Sequence, residues 1–190
     1  FVETGIPCLG IEPTTSTAAA AQHQGIPVLQ EFFGQSLGRR LADSGKKADL
    51  IIGNNVYAHV PDISDFTLGL ETLLKPGGTI TLEFPHLMRL IEHTQFDTIY
   101  HEHFSYLSLY TVMQIFRKAG LRVFDVEELT THGGSLRVYG CHMEDSRLDT
   151  KAITLLLDME NSFGMRDIVC YQSFQSHADN VKNGFLRFLL

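Results

Sequence analysis

Residues 73–84, with the sequence Leu-Leu-Lys-Pro-Gly-Gly-Thr-Ile-Thr-Leu-Glu-Phe, decide the fold, because a helix ends and an apolar strand begins within them. Helix signals cover 64–74, and the Pro-Gly-Gly turn stops the helix before a predicted strand. Other short apolar runs bounded by turn residues alternate with helix-like segments, as in sheets built from βαβ units. We therefore predict an α/β fold, a mostly parallel sheet with helices on both faces, with strands at 8–11, 27–30, 49–54, 79–84, 122–126 and 136–141.

The composition excludes several classes of function. The 190 residues are 44% hydrophobic and carry a formal net charge of -7. No run of Lys and Arg is long enough to follow a phosphate backbone, so we predict no nucleic-acid partner. The apolar stretches are too short to cross a bilayer and no secretory signal opens the chain, which predicts a cytoplasmic protein with no membrane partner. The scattered cysteines Cys8, Cys141 and Cys170 fit reduced thiols better than a disulfide framework.

Both ends of the chain have the character of interior sequence. The first residue is Phe1, and residues 2–7 are typical of a helix end followed by a glycine stop and a strand. Near the other end, Phe185, Phe188 and Leu189 fall on one face at helical spacing, as in an amphipathic helix that continues. We therefore expect the chain to be a piece of a longer protein.

Polar residues at the carboxyl ends of the predicted strands indicate a cofactor site. Glu12 ends the first strand, where a carboxylate can accept both hydroxyls of an adenosine ribose. Asn54 and Asn55 end the third strand at the same edge of the sheet, where amides can meet the rest of a cofactor. Phe33 follows the second strand and either covers an adenine face or packs in the core. A glycine-rich loop is absent, so Glu12 fits an S-adenosylmethionine site and a nicotinamide site equally well.

The segment 100–106, Tyr-His-Glu-His-Phe-Ser-Tyr, concentrates titratable groups in a way that indicates a reaction centre. Two other interpretations are open. His101, Glu102 and His103 offer metal ligands, but zinc spacings such as C-x-x-C are missing, and we predict no metal site. A solvated polar loop is the other interpretation, and the aromatic flanks disfavour it because they are typical of a partly buried wall.

Two resemblances follow from these motifs. The Leu-x-Pro-Gly-Gly turn before a strand resembles the class I methyltransferases, whose fold is Rossmann-like. The runs 54–62, 100–106 and 132–137 together resemble the sugar C-methyltransferases. The resemblance implies an S-adenosylmethionine-binding core over 1–130 and the start of a C-terminal domain over 131–190. It also implies an N-terminal zinc-binding domain and a glycine-rich loop that this chain lacks, so zinc is expected only in that missing domain.

The resemblance further implies the chemistry. A carbon next to the ketone of a nucleotide-linked keto-deoxysugar loses a proton, and the enolate takes the methyl group of the cofactor. His103 would be the base, Glu102 would orient it, Tyr100 would hydrogen-bond the sugar, and His59 would polarise the keto group. Two rival functions are a nicotinamide-dependent sugar dehydrogenase or epimerase, for which no Tyr-x-x-x-Lys pair is found, and a methyltransferase-like module without catalysis.

Overall fold

A computed structural model describes all 190 residues. Six strands and eight helices alternate along most of the chain, and the C-terminal part is helical. The strands are β1 (Gly10–Ile11), β2 (Val28–Leu29), β3 (Ala48–Asn54), β4 (Leu74–Pro85), β5 (Leu121–Leu129) and β6 (Ser135–His142). The helices are α1 (Thr15–His23), α2 (Gln35–Asp43), α3 (Ile63–Leu73), α4 (Leu87–Glu92), α5 (Leu109–Lys118), α6 (Lys151–Phe163), α7 (Val169–Gln172) and α8 (Phe174–Leu189).

The strands form a parallel pair and a four-stranded mixed sheet. β1 pairs with β2, and the larger sheet has the order β3-β4-β6-β5. β3 and β4 are parallel, whereas β6 is antiparallel to both of its neighbours. A short connection joins β5 and β6 into a hairpin, and β6 lies between β4 and β5. The predicted α/β class is confirmed, and its larger sheet is mixed.

The turn that decides the fold lies inside β4 rather than before it. Asp62 caps α3 by accepting a hydrogen bond from the Asp65 amide at 2.9 Å, and the helix ends at Leu73. β4 then starts at once, but its pairing with β3 shifts between the Ala48 and Leu50 positions, so that residues 75–78 bulge. Gly77 has φ of 76° at this bulge, a conformation that favours glycine.

The main core lies between the larger sheet and the helices α3, α5 and α6. Leu82 and Phe84 of β4 and Phe116 of α5 have no exposed surface, and Leu156 of α6 packs into the same cluster. Each such side chain contributes about 1.5 to 3 kcal/mol by leaving water. Because α6 belongs to this core, the C-terminal part of the chain is anchored to the sheet.

The predicted domain boundary between residues 130 and 131 falls in the connection between β5 and β6, where Leu129 pairs with Ser135. The division into 1–130 and 131–190 stays a prediction. Among the helices, none combines the length and the apolar character that crossing a bilayer requires.

Candidate active site

A buried tyrosine holds the turn that follows β3. Tyr57 begins the 3-10 turn Tyr57–His59 and has no exposed surface. Its hydroxyl is 2.7 Å from Oγ1 of Thr67 in α3, and burial raises the pKa of the phenol, so it stays neutral. The anchored ring places Ala58 and His59 just beyond the carboxyl end of β3, where ligands bind in open α/β sheets.

The segment 100–105 docks on this turn through main-chain hydrogen bonds. The Ala58 carbonyl accepts from the amides of Phe104 at 2.9 Å and Ser105 at 3.2 Å. Nδ1 of His59 is 2.9 Å from the Glu102 carbonyl, across 43 residues of sequence. The structure therefore brings together two segments that were separate predictions from the sequence, and it brings His59 next to His103 with their ring centroids 4.6 Å apart.

The contacts of His103 determine which of its ring nitrogens is basic. Nδ1 is 2.8 Å from the Thr98 carbonyl, and Nε2 is 3.1 Å from the Tyr100 hydroxyl. A carbonyl oxygen only accepts, so Nδ1 carries the proton and donates it to Thr98. Nε2 then has a lone pair, which accepts from Tyr100. The Tyr100 ring also stacks on the imidazole at 4.2 Å between centroids.

His59 follows the same rule. Because its Nδ1 faces the Glu102 carbonyl, Nδ1 donates and Nε2 is left without a hydrogen-bond partner. His59 and His103 are both partly exposed. The pair therefore presents one Nε2 without a hydrogen-bond partner, on His59, and one that accepts from the Tyr100 hydroxyl, on His103.

Glu102 occupies a different position from the predicted one. Its side chain is exposed and makes neither a hydrogen bond nor an ion pair, whereas its carbonyl holds His59. Thr98, which the sequence analysis missed, orients His103 instead. Main-chain carbonyls leave no mark in the sequence, so no motif could have identified this contact. His101 is exposed and also makes no hydrogen bond.

A small cleft opens beside His103. Its walls come from the turn after β3, the start of α4 and the segment before α5, and its lining is half apolar. The lining residues are Ala58, Pro85, Leu87, Leu90, Thr98, His103, Ser105 and Tyr106. The cleft has a volume of about 10 Å³, which is room for about one water molecule beside His103.

The predicted cofactor residues Glu12, Asn54 and Asn55 lie at strand ends, and they differ in the hydrogen bonds and exposure of their side chains. Oε1 of Glu12 accepts from the Thr14 amide at 2.7 Å, and Oε2 makes no hydrogen bond. Asn54 is exposed at the end of β3, and Asn55 follows it with φ of 54°. Their cofactor roles stay predictions.

Phe33 is partly buried, and its ring meets that of Phe66 edge to face at 5.1 Å. Phe32 is 84% exposed. The sequence left packing and adenine contact open for Phe33, and the structure shows the packing. No group of three or more His, Cys, Asp or Glu side chains is arranged to hold a metal ion.

Two buried carboxylates were missed by the sequence analysis. Glu83 of β4 is 5% exposed and pairs with Arg137 at 2.9 Å. Glu160 of α6 is 2% exposed and lies 2.9 Å from Nε2 of His86. The two residues of this pair are 74 positions apart, a separation at which sequence gives no signal.

Comparison with known proteins identifies the family. The family described as methyltransferase domain matches residues 2–126, and the family described as C-methyltransferase C-terminal domain matches residues 130–190. The C-methyltransferase NovU of Streptomyces niveus is 33% identical over 182 residues, which are 96% of this chain and 43% of that protein. The chain thus spans less than half the length of this relative.

Solved structures share the fold at low identity. A possible histamine N-methyltransferase of Thermotoga maritima is 19% identical with a TM-score of 0.55, covering 73% of this chain and 74% of that one. The magnesium protoporphyrin IX methyltransferase of Synechocystis, solved with bound SAH, is 14% identical with a TM-score of 0.54, covering 73% and 65%. These likenesses confirm the predicted class I methyltransferase fold. Since the methyltransferase domain match spans more than half of the chain, the chain belongs to the methyltransferase domain family.

Proposed function

We propose that the protein is an S-adenosylmethionine-dependent C-methyltransferase that methylates the carbon next to the keto group of a nucleotide-linked deoxysugar through an enolate. The observation that carries the proposal is the pair of adjacent imidazoles, His59 and His103, each with its Nδ1 on a main-chain carbonyl, so that the basic atom of each ring is Nε2. The match to a C-methyltransferase C-terminal domain and the likeness to NovU support methylation at carbon. The nucleotide linkage and a cytoplasmic location belong to the same proposal.

Removing a proton from carbon requires a positioned base. Nε2 of His103 has the lone pair, and the Thr98 carbonyl keeps the ring in this tautomer and orientation. In the resting structure the Tyr100 hydroxyl covers the lone pair at 3.1 Å. When substrate enters, Tyr100 turns its hydrogen bond to an oxygen of the sugar, and Nε2 becomes available to the carbon acid.

The developing enolate oxygen requires a donor. His59 supplies it only as an imidazolium, because its neutral form already donates from Nδ1 to the Glu102 carbonyl and presents a lone pair at Nε2. With ring centroids 4.6 Å apart, two positive charges on the pair are unfavourable. In the proposed mechanism His59 therefore acts as the acid and His103 as the base.

The strand-end residues fit the cofactor. Oε2 of Glu12 is free to accept a ribose hydroxyl, and the exposed Asn54 amide can meet the amino-acid part. Asn55 and Phe33 are the further cofactor contacts of this proposal. Bound S-adenosylmethionine supplies an electrophilic methyl group. The protein's own task is then alignment, which can replace about 7 to 11 kcal/mol of barrier.

A base-deficient variant tests the proposal in the full-length protein. His103→Asn keeps an N–H at the position that faces Thr98 but removes Nε2. We expect deuterium exchange from solvent into the α-carbon of the keto sugar to fall about 10²- to 10⁴-fold, while calorimetric binding of S-adenosylmethionine is retained. His101→Asn is the matched control, because His101 is an exposed neighbour without hydrogen bonds.

Three outcomes would contradict the proposal. Exchange in His103→Asn equal to that of the control would remove His103 as the base. Binding of NAD without binding of S-adenosylmethionine would favour the sugar dehydrogenase or epimerase. A protein that binds S-adenosylmethionine but shows no exchange with any keto sugar would be a methyltransferase-like module.

A further inference from the structure

The carboxylate of Glu160 is the meeting point of three chain segments. It comes from α6 and is 2% exposed. Oε1 accepts from the Leu109 amide at 2.6 Å and lies 2.9 Å from Nε2 of His86, while Oε2 accepts from the Tyr110 amide at 3.0 Å. Both oxygens are therefore occupied, and the negative charge also sits at the N-terminus of α5.

These partners are the two ends of one loop. His86 precedes α4, and Leu109 begins α5, so residues 87–108 lie between them. The ends also contact each other, because the Leu87 amide donates to the Leu107 carbonyl at 2.9 Å and His86 forms a β-bridge with Leu107. Glu160 thus holds the base of the loop closed from a helix outside it.

The closed loop carries the proposed base together with the groups that orient it. Thr98, Tyr100 and His103 all lie between the two ends held by Glu160. The cleft beside His103 is lined by Pro85 and Leu87, which flank His86 directly. A shift at the base of the loop would consequently change both the cleft wall and the setting of His103.

The buried His86–Glu160 pair carries an energetic cost that apolar side chains at the same positions would not have. Nε2 of His86 donates to the carboxylate, which leaves Nδ1 buried with no hydrogen-bond partner. Buried polar or charged pairs are often replaceable by apolar residues without loss of stability, and in some proteins such a pair instead specifies one geometry. The cost indicates that geometry rather than stability is what the pair provides.

The geometry points to Glu160 and His86 as positioning residues that hold the reaction-centre loop in register with the sheet edge, so that a helix of the C-terminal part of the chain sets the orientation of His103. The inference rests on the proposed function for the role of His103 as base. Neither residue contacts the cleft itself, and both act through the loop.

Amide and aliphatic variants of the full-length protein test the inference. Glu160→Gln preserves the shape but places an NH₂ group against an N–H donor or against His86. His86→Gln keeps a donor near the Nε2 position, and His86→Leu removes it. Asp158→Asn is the matched control, because Asp158 is an exposed acid of the same helix.

The first measurement is the tautomer of His103, read from the ¹⁵N signals of its imidazole in the absence of cofactor. We expect a single Nδ1–H form in the wild type and in Asp158→Asn, and a mixture in Glu160→Gln. The second measurement is kinetic: kcat should fall about 10- to 100-fold in Glu160→Gln and His86→Leu, with KM and S-adenosylmethionine affinity little changed, and His86→Gln should recover most of the loss.

The outcomes are distinguishable from failure of the proposed function. A changed tautomer in a protein that transfers no methyl group would sustain the positioning role and reject the function. A wild-type His103 spectrum in Glu160→Gln, or in His86→Leu if Glu160→Gln does not fold, would overturn the inference. Equal kcat losses in His86→Gln and His86→Leu without a tautomer change would also reject it, because they would indicate general destabilisation.

Discussion

Replacing Gly69 with alanine tests how closely α2 and α3 pack beneath the predicted cofactor edge. A Cβ on Gly69 would lie 2.6 Å from the Gly34 carbonyl oxygen and 3.0 Å from Cε1 of Phe33. In the opposite direction, a Cβ on Gly38 would lie 2.7 Å from the Gly69 carbonyl oxygen. The two helices therefore touch backbone to backbone, and a methyl group can enter only if one of them moves.

The magnitude follows from two opposing terms. Alanine is favoured over glycine within a helix by about 1 kcal/mol. Overpacking a buried contact costs about 1 to 3 kcal/mol, and the upper end applies to Gly69→Ala because the carbonyl of Gly34 cannot rotate away as a side chain would. We expect the free energy of unfolding to fall by about 1 to 2 kcal/mol.

Urea denaturation followed by circular dichroism measures this change. Gly184→Ala is the matched control, since Gly184 lies in α8 and its Cβ would have no atom within 4 Å. Gly184→Ala should be neutral or stabilising by up to about 1 kcal/mol, because it gains the helix preference of alanine without a steric clash. If Gly69→Ala is as stable as the wild type, the close approach of α2 and α3 is incorrect.

Three further predictions concern single side chains. Tyr100→Phe removes the hydroxyl that is 3.1 Å from Nε2 of His103, and kcat for methyl transfer should fall about 10-fold, the value of one hydrogen bond of about 1.4 kcal/mol. Hydrogen bonds from Arg147 hold the pKa of the Asp145 carboxyl well below its usual range. This carboxylate therefore stabilises the fold at pH values above its unfolded-state pKa of about 3.9, and the stabilisation is lost as the pH falls below that value. The melting temperature of Asp145→Asn should accordingly decline less than that of the wild type on acidification below that pH, as thermal melts can show. Burial raises the pKa of the fully buried Cys141 thiol, and mass spectrometry should find it alkylated only after unfolding, whereas early labelling would contradict its burial.

Local signals predicted the elements that they directly encode. The predicted strand 49–54 and helix 64–74 differ from Ala48–Asn54 and Ile63–Leu73 by one residue at their ends. The Asp62 cap and the apolar run of β3 act within a few residues, so they remain visible without a fold. The start of β4 was placed five residues late because a bulge and a helix stop share the Pro-Gly-Gly signature.

Long-range partners were not predictable. The position of β6 between β4 and β5 depends on which edge of the sheet is free, which no run of residues records. The contact between Glu160 and His86 joins residues 74 apart, and neither lies in a motif with a partner signal. For Glu102 the structure shows a contact of its carbonyl with His59, which no motif signals, and the predicted role of its carboxylate stays a prediction.

The contact of Glu102 through its carbonyl has a chemical consequence. In a motif such as Tyr-His-Glu-His, a carboxylate beside an imidazole would favour the charged ring, so that the ring would be a stronger base but a smaller fraction of it would be unprotonated at the start of the reaction. A neutral carbonyl orients the ring without that bias. Because Thr98 and Glu102 each hold one imidazole through main-chain oxygen, the difference between the proposed acid and base must come from what faces Nε2: the Tyr100 hydroxyl for His103, and the substrate for His59. We therefore expect substrate binding, rather than the motif alone, to assign the proposed roles of the two histidines.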